Sequence, residues 1–449
     1  MGAGESVALS LGNGPELVAG FLAILAMRAS AAPLNPAYTA GEARAYLEDL
    51  RPRLLVCGPG VGAGAAQAAA ELGIPVRELA ETGDAGHPFS LGVEMAGGVA
   101  EAPQGDDVAL LLHTSGTTSR PKVVPLRQRN LAASIRAIIA SYQLDEADVS
   151  HCVMPLFHVH GLVASTLSGL ASGGTVLVPP RFSAGAFWAD GTAHGATWFS
   201  AVPTIHQVLS LRAEQDPIPA HGLRFARSCS SALSPTLQAR VEELVGVPLL
   251  QAYGMTEAAH QMSTNPLPPG ERRPGSVGQA TGTEFALFDE HWNRVQGAAG
   301  EVAVRGPSVV DGYRDNPEAN AASFRDGWFR TGDVGRLSAD GYLTLDGRIK
   351  ELINRGGEKI SPFEVEEALL AHPSVTEAVA YGAPDDKYGE VVAAVVVTRA
   401  PVEERALTEH CSERLAAFKV PVSVAVRDQI PKGPTGKVQR RLLAELIGR

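Results

Sequence analysis

The chain has 449 residues, of which 45% are hydrophobic and 19% are charged. This is an ordinary balance for a folded protein, and the length suffices for a large core divided between two or more domains. The net charge of -11 argues against a nucleic-acid surface, and the four cysteines are too widely spaced to predict a zinc site or a disulfide framework.

The first hundred residues alternate between strand and helix patterns, which predicts an α/β fold. Residues 18–27 are apolar but too few to span a bilayer, so they are predicted to form a buried helix in a cytoplasmic protein that binds no membrane. Residues 81–106 are rich in Gly, Ala and Pro and are predicted to form a loop. The predicted strands are 6–11, 31–34, 53–57 and 75–78, and the predicted helices are 15–28 and 40–50.

Residues 58–64 read Gly-Pro-Gly-Val-Gly-Ala-Gly and imitate a dinucleotide-binding fingerprint, with Glu78 in the place of the ribose-binding acid. A proline lies inside the turn, and glycine-rich turns between a strand and a helix are common without any cofactor. This segment is therefore interpreted as a structural turn.

The apolar residues 108–112 lead into a turn of small hydroxyl residues, which suits a polyphosphate. A glycine lets the backbone approach the ligand, hydroxyl groups and amides donate hydrogen bonds, and a lysine adds positive charge. The spacing of a Walker A loop is absent, and a simple surface turn remains the alternative. The candidate phosphate-binding residues are Thr114, Ser115, Gly116, Thr117, Thr118 and Lys122.

From residue 107 to residue 251 the alternation continues and predicts a parallel sheet with helices on both faces. Ligands of such sheets bind beyond the carboxyl ends of the strands, where residues 114–122, 157–160, 228–232 and 251–257 fall. The predicted helices are 131–142, 162–172, 184–194, 204–212 and 235–245, and the predicted strands are 149–154, 175–178, 197–201, 224–229 and 248–251.

Six motifs spread over almost the whole chain resemble, in their order, those of the adenylate-forming family, which includes the acyl-CoA synthetases. Within the family, residues 155–161, 227–232, 255–262 and 350–362 look most like the oxalyl-CoA synthetases of plants and fungi. The six motifs are the phosphate turn, Tyr-Gly-Met-Thr-Glu at 253–257, Gly-Trp-Phe-Arg-Thr-Gly-Asp at 327–333, Gly-Arg-Ile-Lys at 347–350, Arg-Gly-Gly-Glu-Lys at 355–359 and Pro-Lys-Gly-Pro-Thr-Gly-Lys at 431–437.

The resemblance implies an α/β fold with two domains. Residues 1–349 are expected to form a large domain with helix-covered, largely parallel sheets, shortened at its N-terminus by a strand and a helix. Residues 350–449 are expected to form a small, mobile α+β domain that turns about Lys350. Its predicted elements are helices at 363–371 and 405–417 and strands at 378–381, 391–398 and 422–426. Ser361 and Glu364 are predicted to form a capping box around Pro362.

The resemblance also implies a reaction in two steps. ATP converts a carboxylate into an acyl-adenylate and pyrophosphate leaves, and the thiol of coenzyme A then displaces AMP. Negative charge gathers at the α-phosphate, which calls for donors, a cation and a metal. The implied roles are the phosphate turn with Thr256 and Lys437 for the phosphates, Glu257 for Mg²⁺, Tyr253 for adenine, Asp333 and Arg348 for ribose, Ser231 and Ala232 for the nucleotide, and Gly356 and Gly357 for CoA.

Oxalate is the acid implied by the subgroup, and its second carboxylate would have to be held by donors because a buried unpaired charge is costly. The expected substrate residues are His158, Ser230 and His260, with His160 and Arg227 nearby. Two alternatives stay open: an adenylating enzyme for another acid or for a carrier-protein thiol, and a non-catalytic AMP-binding protein. The expected state is a monomer or homodimer that binds no nucleic acid.

Overall fold

The computed structural model describes residues 2–84, 88–91, 101–114, 121–433, 438, 440 and 443. The strands in these residues form mixed and antiparallel sheets with helices packed against them, so the predicted α/β fold class is confirmed. None of the helices in the described part is long and apolar enough to cross a membrane.

The first sheet is built from the N-terminal α/β segment. Its strands run in the order β4-β3-β1-β2-β7-β8. All are parallel except β8, which pairs in antiparallel fashion with β7, while β5 and β6 form a separate hairpin. The elements are β1 (Ser6–Ser10), α1 (Pro15–Ala26), β2 (Ser30–Pro33), α2 (Ala40–Leu50), β3 (Leu54–Cys57), α3 (Ala63–Glu71), β4 (Val76–Glu78), β5 (Ala80–Glu81), β6 (Phe89–Ser90), β7 (Val108–His113) and β8 (Val123–Arg127).

The apolar segment at 18–27 lies in α1, as predicted. Leu17, Phe21 and Ile24 recur at helical spacing and are buried in the same core cluster as β1 and β7. The predicted loop 81–106 differs from the structure, because β6 pairs with β5 inside it. That hairpin is short and half-exposed, so the sequence carries little hydrophobic alternation to reveal it.

The glycines after β3 have a packing role. A β-carbon on Gly62 would lie 2.5 Å from Oγ of Ser10, and one on Gly64 would lie 2.2 Å from the carbonyl oxygen of Tyr38. Gly62 also has a φ of 78°, which favours glycine. These close approaches let the start of α3 pack on β1 and account for the glycines without a dinucleotide.

The second sheet runs in the order β10-β9-β11-β12-β13-β14-β15. It is parallel from β10 to β13 and antiparallel beyond, so the carboxyl ends of the central strands meet at one edge. The elements are α4 (Gln128–Tyr142), β9 (Val149–Cys152), α5 (Ser168–Ala171), β10 (Thr175–Leu177), α6 (Phe187–Ala193), β11 (Trp198–Ala201), α7 (Pro203–Ala213), β12 (Phe225–Ser228), α8 (Pro235–Val245), β13 (Leu249–Met255), β14 (His260–Thr264) and β15 (Gln279–Ala280).

The helix predicted at 162–172 differs from the structure in type. Its first part is a buried π-helix, His160–Leu167, which continues into α5. Gly161 lies so close to the preceding loop that a β-carbon there would be 2.3 Å from the carbonyl oxygen of Pro155. π-Helical turns are frequent at functional sites, and this one carries His160 into the interior.

A third sheet, which is antiparallel, follows in a stretch where the sequence pattern predicted no elements. Its strands are short or interrupted by glycines and charges, which hides the alternation that marks a strand. Asp333 lies opposite Arg348 in the register of β20 and β21. The elements are β16 (Glu284–Phe288), β17 (Arg294–Val295), β18 (Gly300–Arg305), α9 (Pro317–Ser323), β19 (Phe324–Arg325), β20 (Trp328–Leu337) and β21 (Leu343–Arg348).

The C-terminal elements form an α+β unit around the long hairpin β24–β25. The predicted capping box is wrong: the hydroxyl of Ser361 donates to the carbonyl of Asp346, and the carboxylate of Glu364 binds Nζ of Lys419 at 2.7 Å. Ser361 and Glu364 thus bond to residues that are distant in sequence and not to the backbone at the start of the helix. The elements are β22 (Ile353–Arg355), β23 (Glu358–Ile360), α10 (Pro362–Leu370), β24 (Val375–Asp385), β25 (Gly389–Thr398), α11 (Glu404–Ser412) and β26 (Ser423–Val426).

His206 on α7 makes the stability of this fold depend on pH. Its Nε2–H donates to the carbonyl of Arg227 at 3.1 Å, and burial lowers the pKa of the imidazole to about 4. The unfolded histidine has a pKa near 6.5, so below that pH the unfolded state binds a proton that the native state does not bind. The native state therefore has its full stability above about pH 6.5 and loses stability as the pH falls towards 4.

Between about pH 7 and pH 4 the titration of His206 should lower the free energy of unfolding by about 3 kcal/mol. We therefore expect the free energy of unfolding of His206→Gln to fall less steeply over this range than that of the wild type. Chemical unfolding followed by circular dichroism at several pH values measures it. His291→Gln, which changes an exposed histidine, is the control. Equal pH slopes for the wild type and His206→Gln would contradict the assignment.

Candidate active site

Three predicted nucleotide residues meet where the second and third sheets touch. The hydroxyl of Tyr253, near the end of β13, donates to Oδ2 of Asp333 on β20. Nε of Arg348, at the end of β21, lies 3.1 Å from Oδ1 of the same carboxylate. Burial and Asp333 raise the pKa of Tyr253 well above its usual value, so the phenol keeps its proton. A carboxylate can accept about four hydrogen bonds, which leaves Asp333 capacity for ribose hydroxyls.

These residues line a cavity of about 770 Å³ between the N-terminal sheets and the C-terminal unit. Ser230, Ser231 and Ala232, which follow β12, line it as well. On its other wall lie Lys432 and Val438. The structure thus brings five of the predicted nucleotide residues and the C-terminal segment to one cavity, although Lys437 itself is outside the described residues. The five are Ser231, Ala232, Tyr253, Asp333 and Arg348.

The phosphate turn is described only at its two ends. The backbone N–H of Thr114 donates to the carbonyl of Lys122 at 2.9 Å, and the N–H of Lys122 donates to Oγ1 of Thr114 at 3.2 Å. These bonds close the turn at the carboxyl end of β7, where a parallel strand presents a ligand site. Ser115, Gly116, Thr117 and Thr118 lie outside the described residues.

Tyr313 connects the phosphate turn with the predicted metal ligand, and the sequence reasoning missed it. Its hydroxyl donates to Oε1 of Glu257 at 2.8 Å, and Nζ of Lys122 lies 4.5 Å from the centre of its ring. Burial and Glu257 raise the pKa of Tyr313, so it remains a donor. Thr256 starts a short 3₁₀ turn, Thr256–Ala258, directly after β13.

The residues at Glu257 are compatible with Mg²⁺. In nucleotide sites this ion is usually held by one or two carboxylates together with substrate phosphates. Glu257 is such a carboxylate: it is buried and oriented by Tyr313. Within the described residues no group of three or more acidic, histidine or cysteine side chains could hold a metal by itself.

The predicted acid pocket contains a buried chain of polar side chains. Nδ1 of His160 lies 3.0 Å from Oγ of Ser230, and its Nε2 lies 2.7 Å from Oγ of Ser200. The ring of His160 also lies 5.0 Å from that of His260. The structure therefore brings Ser230 and His260 together around His160, which the sequence analysis named as a nearby residue.

Arg227 lies fully buried behind these side chains. Its Nη1 donates to Ser200 at 2.9 Å, and its Nη2 lies 3.3 Å from Nδ1 of His260. Arg227 also donates to the hydroxyl of Tyr142 at 2.8 Å. An arginine inside the apolar strand β12 was the sequence signal for this cluster.

The remaining predicted residues lie elsewhere. His158 accepts a bond from the backbone N–H of His160 at 3.2 Å through Nδ1, so it supports the start of the π-helix. Gly356 and Gly357 form the exposed turn between β22 and β23 and do not belong to the cavity lining. Lys350 lies in the turn after β21, where the N–H groups of Glu351 and Leu352 donate to the carbonyl of Arg348.

Fold and site together define a protein with a cavity at the sheet edges that is bordered by residues of the C-terminal segment. Residues 1–314 match the AMP-binding enzyme family, and residues 364–437 match the AMP-binding enzyme C-terminal domain. The chain therefore belongs to the AMP-binding enzyme family. It is an ATP-dependent acid–CoA ligase, which excludes the non-catalytic alternative.

Several relatives of known name align over nearly the whole chain. The chain is 49% identical to an oxalate–CoA ligase of Arabidopsis thaliana, covering 98% of this chain and 88% of the relative. It is 41% identical to an oxalate–CoA ligase of Saccharomyces cerevisiae (99% and 87%) and 40% identical to a sulfoacetate–CoA ligase of Cupriavidus necator (98% and 87%). The crystal structure of ATP-bound MatB from Rhodopseudomonas palustris superposes with a TM-score of 0.90 at 31% identity, covering 99% of this chain and 89% of that one.

The buried carboxylate of Asp333 gives a direct test of the nucleotide site. Asp333→Asn should weaken ATP binding by about 2 to 3 kcal/mol, because a neutral amide accepts weaker hydrogen bonds from the ribose hydroxyls than a carboxylate does. Titration calorimetry measures the change. Asp340→Asn, in the exposed turn between β20 and β21, serves as the control and should bind ATP like the wild type. Wild-type affinity in Asp333→Asn would rule out the assignment.

Proposed function

We propose that this ligase activates a small acid with a second anionic group, oxalate in the first place, and transfers its acyl group to CoA. The observation that supports this choice is the buried cluster around His160, Ser230 and Arg227 beside the nucleotide residues. An apolar acyl pocket would need none of these donors. The cluster offers hydrogen bonds and positive charge in a place where a hydrocarbon chain would be poorly accommodated.

The chemistry of the relatives' acids agrees with this proposal. Oxalate and sulfoacetate both carry a carboxylate that can be activated and a second anionic group on a very short skeleton. A buried anion without donors would cost several kcal/mol, so a pocket for either acid must supply donors to the distal group. In this chain His260 and Ser230 are the proposed direct donors, and His158, which bonds to the backbone N–H of His160, is retained as a third candidate.

The nucleotide roles follow from the site geometry and the family motifs. Tyr253 is proposed to stack on adenine, Asp333 and Arg348 to hold the ribose, and Ser231 and Ala232 to border the nucleotide. Thr256 and the turn from Thr114 to Lys122, with Ser115, Gly116, Thr117 and Thr118, are proposed to bind the phosphates. Glu257 would hold Mg²⁺, which neutralises phosphate charge when bound.

The C-terminal unit is proposed to serve the two half-reactions in turn. The boundary is placed between residues 349 and 350, with Lys350 as the hinge. Lys437 would contact the α-phosphate and the carboxylate during adenylation, and Gly356 and Gly357 would line the path of CoA after the turn. The four buried free thiols suit a reducing cytoplasm, and the enzyme is proposed to act there as a monomer or homodimer.

Substrate choice can be tested with a panel of acids. We expect oxalate to exceed acetate, malonate and hexanoate in specificity constant, and His260→Ala to remove this preference with little change in the Michaelis constant for ATP. Pyrophosphate release measures adenylation, and its stimulation by CoA, together with AMP release, shows that CoA and not a carrier-protein thiol accepts the acyl group. His221→Ala is a matched control, because His221 bonds to the carbonyl of Val245 away from the cluster. A wild-type preference for hexanoate would reject the acid pocket while leaving the ligase chemistry intact.

The role of Lys437 can be tested by separating the half-reactions. Lys437→Ala should reduce adenylation by at least about 100-fold, because a donor to the developing charge is lost. Thioester formation from supplied acyl-adenylate should stay near the wild-type rate. Lys387→Ala, on the exposed β24–β25 turn, is the control. Equal losses in both half-reactions would refute the proposal that Lys437 serves adenylation alone.

A further inference from the structure

Arg227 is buried in an unusual way. Its exposure is 0%, and among the residues that the structure describes it forms no ion pair with a carboxylate. By contrast, the neighbouring Arg224 pairs with Asp148 at 2.8 Å. Buried charges in proteins are normally paired, because an isolated one is strongly unfavourable. The positive charge of Arg227 therefore needs an explanation.

Its hydrogen-bond partners are all uncharged as the geometry presents them. They are the hydroxyls of Tyr142 and Ser200, the ring nitrogen of His260, the amide oxygen of Gln261 and the thiol of Cys229. Burial raises the pKa of Tyr142, so this phenol does not act as a counter-ion. Arginine itself stays protonated at any pH at which the enzyme is folded.

The guanidinium sets the direction of the hydrogen bonds that lead from it to the cavity, because arginine only donates. Nη1 donates to Oγ of Ser200, which can then donate its own proton to Nε2 of His160. An imidazole that accepts at Nε2 carries its proton on Nδ1 and donates to Oγ of Ser230. Ser230 lines the cavity, so its hydroxyl proton is left for a ligand there.

The hydrogen bonds through Ser200 and His160 form one branch, and the bond from Arg227 to His260 forms a second branch with the same donor-to-acceptor direction. Nη2 of Arg227 lies 3.3 Å from Nδ1 of His260 and can only donate to it. The neutral ring of His260 then carries its proton on Nε2 and is a donor there. Both branches thus run outward from one buried positive charge, and the first reaches the cavity at Ser230.

We propose that Arg227 is the specificity-determining residue of this ligase: through Ser200, His160 and His260 it fixes the acid pocket as a set of donors and supplies the positive charge that selects acids with a second anionic group. Arg227 is a positioning residue and does not touch the acid. The inference rests on the proposed function and names the physical source of its selectivity. A strictly structural role, in which Arg227 only joins α4, β12 and β14, is the competing explanation.

The experiment measures specificity constants for oxalate and acetate in Arg227→Met, with the Michaelis constant for ATP and the thermal midpoint as companion readouts. The proposal expects the oxalate constant to fall by at least about 100-fold, the order of effect found when one partner of a buried charge pair is removed, while the acetate constant changes by less than about tenfold. The ATP constant should stay near that of the wild type. Equal losses for both acids would overturn the proposal in favour of the structural role.

Two further variants keep the test decisive if Arg227→Met does not fold. Ser200→Ala retains the guanidinium but breaks one branch, and it should lower the ratio of oxalate to acetate by about tenfold, as expected for one charge-assisted hydrogen bond. Arg224→Met is the matched control, since it removes a paired arginine three residues away, and it should lower the thermal midpoint without changing the ratio. An unchanged ratio of oxalate to acetate in Ser200→Ala would overturn the proposal that Arg227 acts through Ser200 and His160.

The outcomes also separate this inference from the proposed function. If the wild type shows no preference for acids with a second anionic group, the proposed substrate class fails. If the wild type prefers oxalate and both Arg227→Met and Ser200→Ala keep that preference, the substrate class stands and the role of Arg227 fails.

Discussion

Charged groups are costly to bury, and each part of this site is arranged around one that is buried. The carboxylate of Asp333 is held between the hydroxyl of Tyr253 from the second sheet and the guanidinium of Arg348 from the third. Removing Tyr253 or Arg348 would leave the buried carboxylate of Asp333 with one compensating partner fewer. This contact joins the second and third sheets at the wall of the cavity.

The C-terminal unit uses the same kind of contact. Arg440 bonds to Glu366 on α10 and to Glu351, which follows the proposed hinge residue directly, with Nε and Oε2 3.2 Å apart in the second pair. Contacts to the large N-terminal part are also polar: Oγ1 of Thr236 donates to Glu367 at 2.7 Å, Nε2 of Gln207 donates to the carbonyl of Thr376 at 2.6 Å, and Arg399 pairs with Glu214 at 3.5 Å. Polar contacts of this kind can be exchanged for water, as a rotation of the unit would require.

The sequence predicted the parallel part of the fold because its strands are apolar runs that alternate with helices. It did not predict the third sheet, in which β20 places Gly332, Asp333 and Gly335 where a strand would normally alternate. The nucleotide residues were found through motifs, and the structure brings Tyr253, Asp333 and Arg348 together. Tyr313 and Ser200 could not be found in this way, because their importance comes from contacts across 56 and 27 residues of sequence and from no local pattern.

The two halves of the site carry opposite buried charges, and this follows from the reaction. An acid can be adenylated only when its carboxylate approaches the α-phosphate, and the repulsion of two anions grows as water is excluded. A second anionic group on the acid increases that repulsion. A positive charge on the acid side, at Arg227, opposes it without contact, since fields act over longer distances in a low dielectric. An apolar acid would gain nothing from such a charge, so the buried charge of Arg227 is consistent with a pocket that receives anions.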